Sequence, residues 1–198
     1  VFTLALHVQS VPVGLLGVSV GMAAFPMLSA LAAKQDMAQF RHEFMRTTRL
    51  LITLLIPITI LFLLLRGQIT RVLLGSGAFD WNDTRQTADT LAFFAFSLFA
   101  QTLLPLLTRA FFALEDTRTP FLISLSGILV TILSAPFLSQ SKILNGVPGL
   151  SAAFSLGIVA QFILLWVCLR KKVGPLSETA FIDLLYKLSL SGMAMAVA

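Results

Sequence analysis

The 198-residue chain is 57% hydrophobic and 12% charged, with a mean hydropathy of +0.92, whereas an ordinary soluble domain carries about 25% charged residues. This excludes a soluble globular domain and predicts an all-α polytopic membrane protein, since each span takes about 20 apolar residues and the length allows five spans and part of a sixth. The single cysteine, Cys168, excludes an intrachain disulfide or a cysteine metal cluster, and the net charge of +5 does not point to nucleic acid, because the cations sit at the ends of apolar runs rather than on one face.

In chain order, the run Val1 to Ala33 predicts the first span. Within it Ser10, Gly14, Gly17, Gly21 and Ala24 recur every three or four residues, a face stripped of bulk that admits another helix backbone. His7 keeps the same spacing, so it is expected to look into the protein, near the outer end of the helix. Pro12 and Pro26 interrupt the run. Lys34 to Arg49 alternates in charge and places Met37, Phe40 and Phe44 at helical spacing, which predicts an amphipathic interfacial helix over about 35–48. Leu50 to Leu65, broken by Pro57, is the second span. The turn GSGAFDWNDT, Gly75 to Thr84, offers Asp80, Asn82 or Asp83 as caps for the helix after it, a better reading than the Asn82–Thr84 glycosylation triplet.

Ala88 to Leu114 is the third span, with Gln101 midway and Pro105 beyond it. It leads into RAFFALEDTRTP, Arg109 to Pro120, a charged hairpin in an otherwise apolar chain. Arg109 is expected to snorkel from its helix end, Glu115, Asp116 and Thr117 to meet free backbone groups, and Pro120 to open the next helix beside Arg118. A plain turn and a gate remain open as readings of this hairpin. The fourth span is Phe121 to Leu138, with Pro136 inside it. The fifth is Val147 to Leu169, where Gly149, Ala153, Gly157 and Ala160 make a second small-residue face. A truncated sixth begins near Leu184. Both ends stop inside apolar sequence, so residues 1–198 are read as one helical lobe cut from a longer protein.

Sorting the span ends by side puts Lys34, Arg41, Arg46, Arg49, Arg109, Arg118, Arg170, Lys171, Lys172 and Lys187 together, and leaves Arg66, Arg71, Arg85 and Lys142 opposite. The richer side is expected to be cytoplasmic. Within the spans, Gln101 and Gln161 are candidates for hydrogen bonds between helices. No hydrolase, metalloprotease or nucleotide-binding motif occurs, so no catalytic residue, metal or cofactor is expected.

Three motifs in order, VPVGLLGVSVGMAAFPMLS (Val11 to Ser29), GSGAFDWNDT and RAFFALEDTRTP, resemble the MurJ (MviN) lipid II flippases of the MOP exporter superfamily. The resemblance implies a fourteen-helix protein of two six-helix lobes, of which this chain runs from the eighth helix into the thirteenth. It further implies flipping of lipid-linked peptidoglycan precursor across the bacterial inner membrane by alternating access, with lipid-linked oligosaccharide, membrane lipids and cell-wall synthesis proteins as partners. His7, Ser10 and Gln101 would then lie in the substrate cavity, and Asp80, Asp83, Arg109, Glu115, Asp116 and Arg118 at the gates. Where many members carry an Asp-Arg pair before the Pro-x-Gly motif, this chain has Leu6 and His7, a titratable group in place of a constant cation. Where some members bind sodium, Phe121 to Leu138 offers only Ser124, Ser126, Thr131 and Ser134, so sodium coupling is not expected. Another MOP exporter, for polysaccharide lipids or drugs, and a non-transporting interaction subunit are the alternatives.

Overall fold

In hydrocarbon every backbone N–H and C=O must pair within its own segment, so apolar runs of this length fold as helices. A computed structural model describes residues 2–74, 81–140 and 146–175. Its elements are α1 (Phe2–Pro12), a π turn (Val13–Val18), α2 (Ser19–Ala33), α3 (Met37–Leu74), α4 (Trp81–Ala113), α5 (Arg118–Ser139) and α6 (Val147–Val173). Five stretches are long and apolar enough to cross a membrane: Ala5–Ala33, Met37–Leu65, Asp89–Ala113, Arg118–Ser139 and Val147–Val173. The protein is a multi-pass membrane protein. The expected sixth span and Asp80 lie outside the described residues.

Two turns at one end of the bundle share a construction. α2 closes with Gln35 in the left-handed region (φ 55) and a bond from Asp36 N to the Leu31 carbonyl. α4 closes with Glu115 likewise (φ 57) and a bond from Asp116 N to the Phe111 carbonyl. Both are Schellman ends built without glycine. Each aspartate then accepts from the next helix: Asp36 Oδ1 from Gln39 N at 3.0 Å, and Asp116 Oδ1 from Thr119 N at 3.0 Å. A side chain that accepts from the backbone three residues on favours a turn over continued helix, which is why these charged letters sit where the apolar runs break.

The segment expected as a separate interfacial helix is the start of α3, continuous with the second span over 38 residues. Nothing in Lys34 to Arg49 stops a helix once Asp36 has capped it. Phe40 and Phe44 are fully buried against protein, with Phe44 6.1 Å from Trp166 of α6 between ring centroids. Four prolines, Pro26, Pro57, Pro105 and Pro136, stay inside unbroken α-helix; among the described residues only Pro12 coincides with a change of helix type.

α4 is the centre of the bundle, packed by α1, the π turn, α2, α3 and α6, and 72% of its apolar window is buried. α5 lies outermost, held chiefly by α6, with 6% of its window buried. Hydroxyls inside the spans are satisfied locally: Thr48, Thr102 and Thr131 each donate to the carbonyl four residues back.

Candidate functional site

The first span turns its buried positions toward α4. These are Ala5, Gln9 and Pro12 before the π turn, and Gly17, Gly21, Ala24 and Leu28 after it. Steps of three and four run throughout, except for five between Pro12 and Gly17. A π turn holds one extra residue, and one residue is about 100° of rotation. The stripe read from the sequence at constant helical spacing therefore splits. Gly17 and Gly21 lie against α4, whereas His7, Ser10 and Gly14 are carried to the exposed face. His7 does not look into this bundle.

Gln9, which the sequence reading passed over, takes the inward place. It is 2% exposed, and its Oε1 accepts from Gln101 Nε2 at 3.0 Å. Gln101 Nε2 also donates to Ser97 Oγ at 2.8 Å, and the Ser97 and Ser155 hydroxyls lie 3.1 Å apart. Ser155 donates in turn to the Phe93 carbonyl at 3.0 Å. This chain of polar groups ties α1, α4 and α6 together. Gln101 is thus engaged on both sides, and the structure does not bring it together with His7 and Ser10. A second polar link, Gln161 Nε2 to Ser124 Oγ at 2.9 Å, joins α6 to α5.

The small residues divide in the same way. A methyl group on Gly17 would lie 2.5 Å from the Thr102 carbonyl oxygen, and one on Gly21 would lie 3.3 Å from Leu106 N. On Gly14 it would meet nothing within 4 Å. Gly157 touches α5, where a methyl group would strike Thr131 Oγ1 and lie 2.6 Å from the Gly127 carbonyl oxygen. Gly149 is buried in the first turn of α6.

At the charged end, the Arg109 guanidinium lies over the Phe25 ring, 5.7 Å from its centroid, which ties the end of α4 to α2. Asp116 pairs with Lys172 at the end of α6 and accepts the Thr119 hydroxyl at 2.6 Å. The Lys172 ammonium first, and Thr119 second, hold the Asp116 carboxyl well below the usual carboxylate range. Lys172 also sits over Phe111, 5.9 Å from the ring centroid. Glu115 and Arg118 are exposed. Asp83 is placed only as a helical position in the first turn of α4. Among the described residues no three His, Cys, Asp or Glu side chains gather as a metal site.

The outward face of the first span mixes apolar side chains, Val11, Leu15, Val18 and Met22 among them, with a row of polar ones. Thr3, His7, Ser10, Gly14 and Ser19 are exposed in sequence along it, with the same five-residue step at the π turn. Intramembrane polar and ionisable groups ordinarily face a water-filled cavity or other protein. By contrast, the exposed face of α5 carries Phe121, Leu125, Ile132 and Phe137.

A family model described as "Lipid II flippase MurJ" matches residues 1–198. "Probable lipid II flippase MurJ" of Thermotoga maritima is 29% identical over 195 residues, 97% of this chain and 37% of that protein. "Lipid II flippase MurJ" of Burkholderia cenocepacia is 27% identical over 161 residues, 81% of this chain and 31% of that protein. The chain thus spans about a third of the length of these relatives. A solved structure, "Lipid II flippase MurJ, inward closed conformation", covers 98% of this chain and superposes with a TM-score of 0.76 at 22% identity, with 39% of its own length matched. With the same helical arrangement found in a solved flippase and the family model matched from end to end, this chain belongs to the MurJ lipid II flippase family.

Proposed function

We propose that the protein containing this chain translocates lipid-linked peptidoglycan precursor across the bacterial inner membrane by alternating access, and that residues 1–198 form one helical lobe of it. The observation that carries the reading is the row Thr3, His7, Ser10 and Ser19 on the outward face of the first span, set among exposed Val11, Leu15, Val18 and Met22, whereas the outermost helix exposes mainly large apolar side chains. A polar stripe on a spanning helix calls for a polar neighbour, and a transport cavity supplies one. His7, in the outer part of that stripe, is the imidazole this chain offers to a pyrophosphate. Gln101 and Gln9 lie behind it and set its helix. The two Schellman turns sit at the cation-rich end, which belongs on the cytoplasmic side. Arg109, Asp116 and Arg118 there, with Glu115, are read as a gate, within which Asp116 is paired with Lys172. Asp80 and Asp83 are assigned to the opposite gate by position in the sequence alone. Cell-wall synthesis proteins are the partners this role implies.

The test is complementation of a conditional lipid II flippase mutant by the full-length gene. Wild type and His7→Arg are expected to restore growth and His7→Ala to lose most of it. Full rescue by His7→Ala would remove His7 from the cavity, and no rescue by a well-expressed wild type would overturn the substrate.

A further inference from the structure

We propose that the π turn is a movable defect: α1 has a second register, in which the turn is absorbed into ordinary α-helix and α1 rotates by about 100° against α4. The register belongs to the helix itself and stands apart from the transport reading. Its ground is that the first span carries two inward faces. With the extra residue of the π turn in place, Ala5, Gln9 and Pro12 continue the buried row of Gly17 and Gly21. Without it, a step of four runs back from Gly17 to Val13, and each inward seat passes to the next residue: Val13 for Pro12, Ser10 for Gln9, Leu6 for Ala5. Ser10, Gly14, Gly17, Gly21 and Ala24 then share one unbroken small-residue face, the kind of surface on which helices pack closely in lipid.

Little pins the turn in place. Both junctions are ordinary right-handed helix, Pro12 at φ −63°, ψ −33° and Ser19 at φ −65°, ψ −47°, so absorbing the turn undoes no special backbone. Pro12 lacks an N–H and already opens the hydrogen-bond ladder there. A methyl group on Gly14 would meet nothing within 4 Å among the described residues, so no neighbour wedges the turn. Three contacts favour the observed register. Ser19 Oγ donates to the Gly14 carbonyl, five residues back, at 3.3 Å. Gln101 bonds Gln9 at 3.0 Å. Ala5 is fully buried beside Leu91 and Phe94, in a seat that the larger Leu6 would have to enter. These contacts make the observed register the resting one and the other its minor partner. The exchange changes what the outward face carries. Val11 takes the place of Ser10 and Val8 that of His7, while Ser10 turns in toward Gln101 and His7 moves to the half-buried seat of Leu6. The same face thus presents an imidazole and a hydroxyl in one register and two valines in the other.

The experiment reads the register from distances between spin labels on full-length protein in lipid nanodiscs, in a Cys168→Ser background. Val11→Cys lies above the turn and Met27→Cys below it, and each is paired with Phe137→Cys on α5; all three positions are exposed. A rotation of about 100° moves a group roughly 5 to 6 Å from the helix axis by about 8 Å. The pair at 11 and 137 is expected to give two distances, and the pair at 27 and 137 one. Gln9→Leu together with Ser19→Ala removes both hydrogen bonds of the resting register and should enlarge the second population several-fold. Deleting Leu15 shortens the step from Pro12 to Gly17 to four, so the resting faces fit a plain α-helix with no defect to move, and the resting distance alone should remain. A single distance at 11 and 137 in both wild type and the double variant would overturn the proposal, whether or not the deletion folds. Two distances that survive the deletion would overturn it as well, and so would two distances at 27 and 137, which would assign the movement to a larger part of the bundle.

Discussion

The two halves of the first span lie on the same neighbour and are held to it by different means. From the π turn into α2 the span has no side chain at its closest points to α4, and the backbones meet at Gly17 and Gly21. Above the turn, α1 reaches α4 through an amide, Gln9 to Gln101. In lipid there is no hydrophobic force between helices, so close backbone packing and interhelical hydrogen bonds are the two means available. One helix uses both because a single extra residue lets two differently phased faces point the same way.

The largest effect should come from filling the close contact. Gly17→Leu is expected to lower stability by about 1 to 3 kcal/mol, since the obstacle is backbone and cannot step aside, with Gly21→Leu somewhat milder. Gly14→Leu and Leu15→Ala should be nearly neutral. Thermal unfolding in detergent of the full-length protein measures all four, and a Gly14→Leu as damaging as Gly17→Leu would mean that the π turn does not divide the stripe. The amide contact should be worth less. Gln9→Leu is expected to cost about 0.6 to 2 kcal/mol, Gln101→Leu a similar amount, and the double variant less than the sum. His7→Leu should leave stability unchanged, and additive losses from the two glutamines would break the pairing.

A contact at the charged end of the bundle sets the bottom of the scale. Asp116→Asn keeps the cap, because Asn serves as well as Asp there, and loses the Lys172 pairing, worth about 0.2 to 1 kcal/mol for a partly exposed pair. The Asp116 carboxyl is depressed in the folded state. Its contribution is therefore fully present above the unfolded carboxylate value of about 3.9 and is lost as pH falls below it toward the folded value. The stability difference between wild type and Asp116→Asn should be flat from about pH 5 to 8 and shrink below about pH 4; a difference that shrinks near neutrality would assign the pairing to another group.

The spans were legible because a bilayer makes a crude demand, length and apolarity, that each run meets on its own. Register was not. His7 and Gly17 keep helical spacing in the sequence, and no residue type announces the extra residue between them; Pro12 near Gly14 and Gly17 hints at a weak point without saying which way the helix turns. Gln9 went unnoticed for the same reason, since its value lies in Gln101, 92 residues away. Asp116 was legible as a turn residue, since its cap is local. Its pairing with Lys172 belongs to the tertiary fold. The start of α3 was read as interfacial from its own amphipathic pattern, and what covers that pattern is supplied by α2 and α4, with Trp166 of α6 against Phe44.

The contact between Phe44 and Trp166 has a consequence in time. More than a hundred residues separate the two rings in the chain, and at about 5 to 20 residues per second of synthesis roughly 6 to 25 s pass before the second can meet the first. Through that interval Phe44 has α2, and then α4, beside it, but the side that Trp166 will cover has only lipid as an apolar medium. That half-covered state ends when α6 is made.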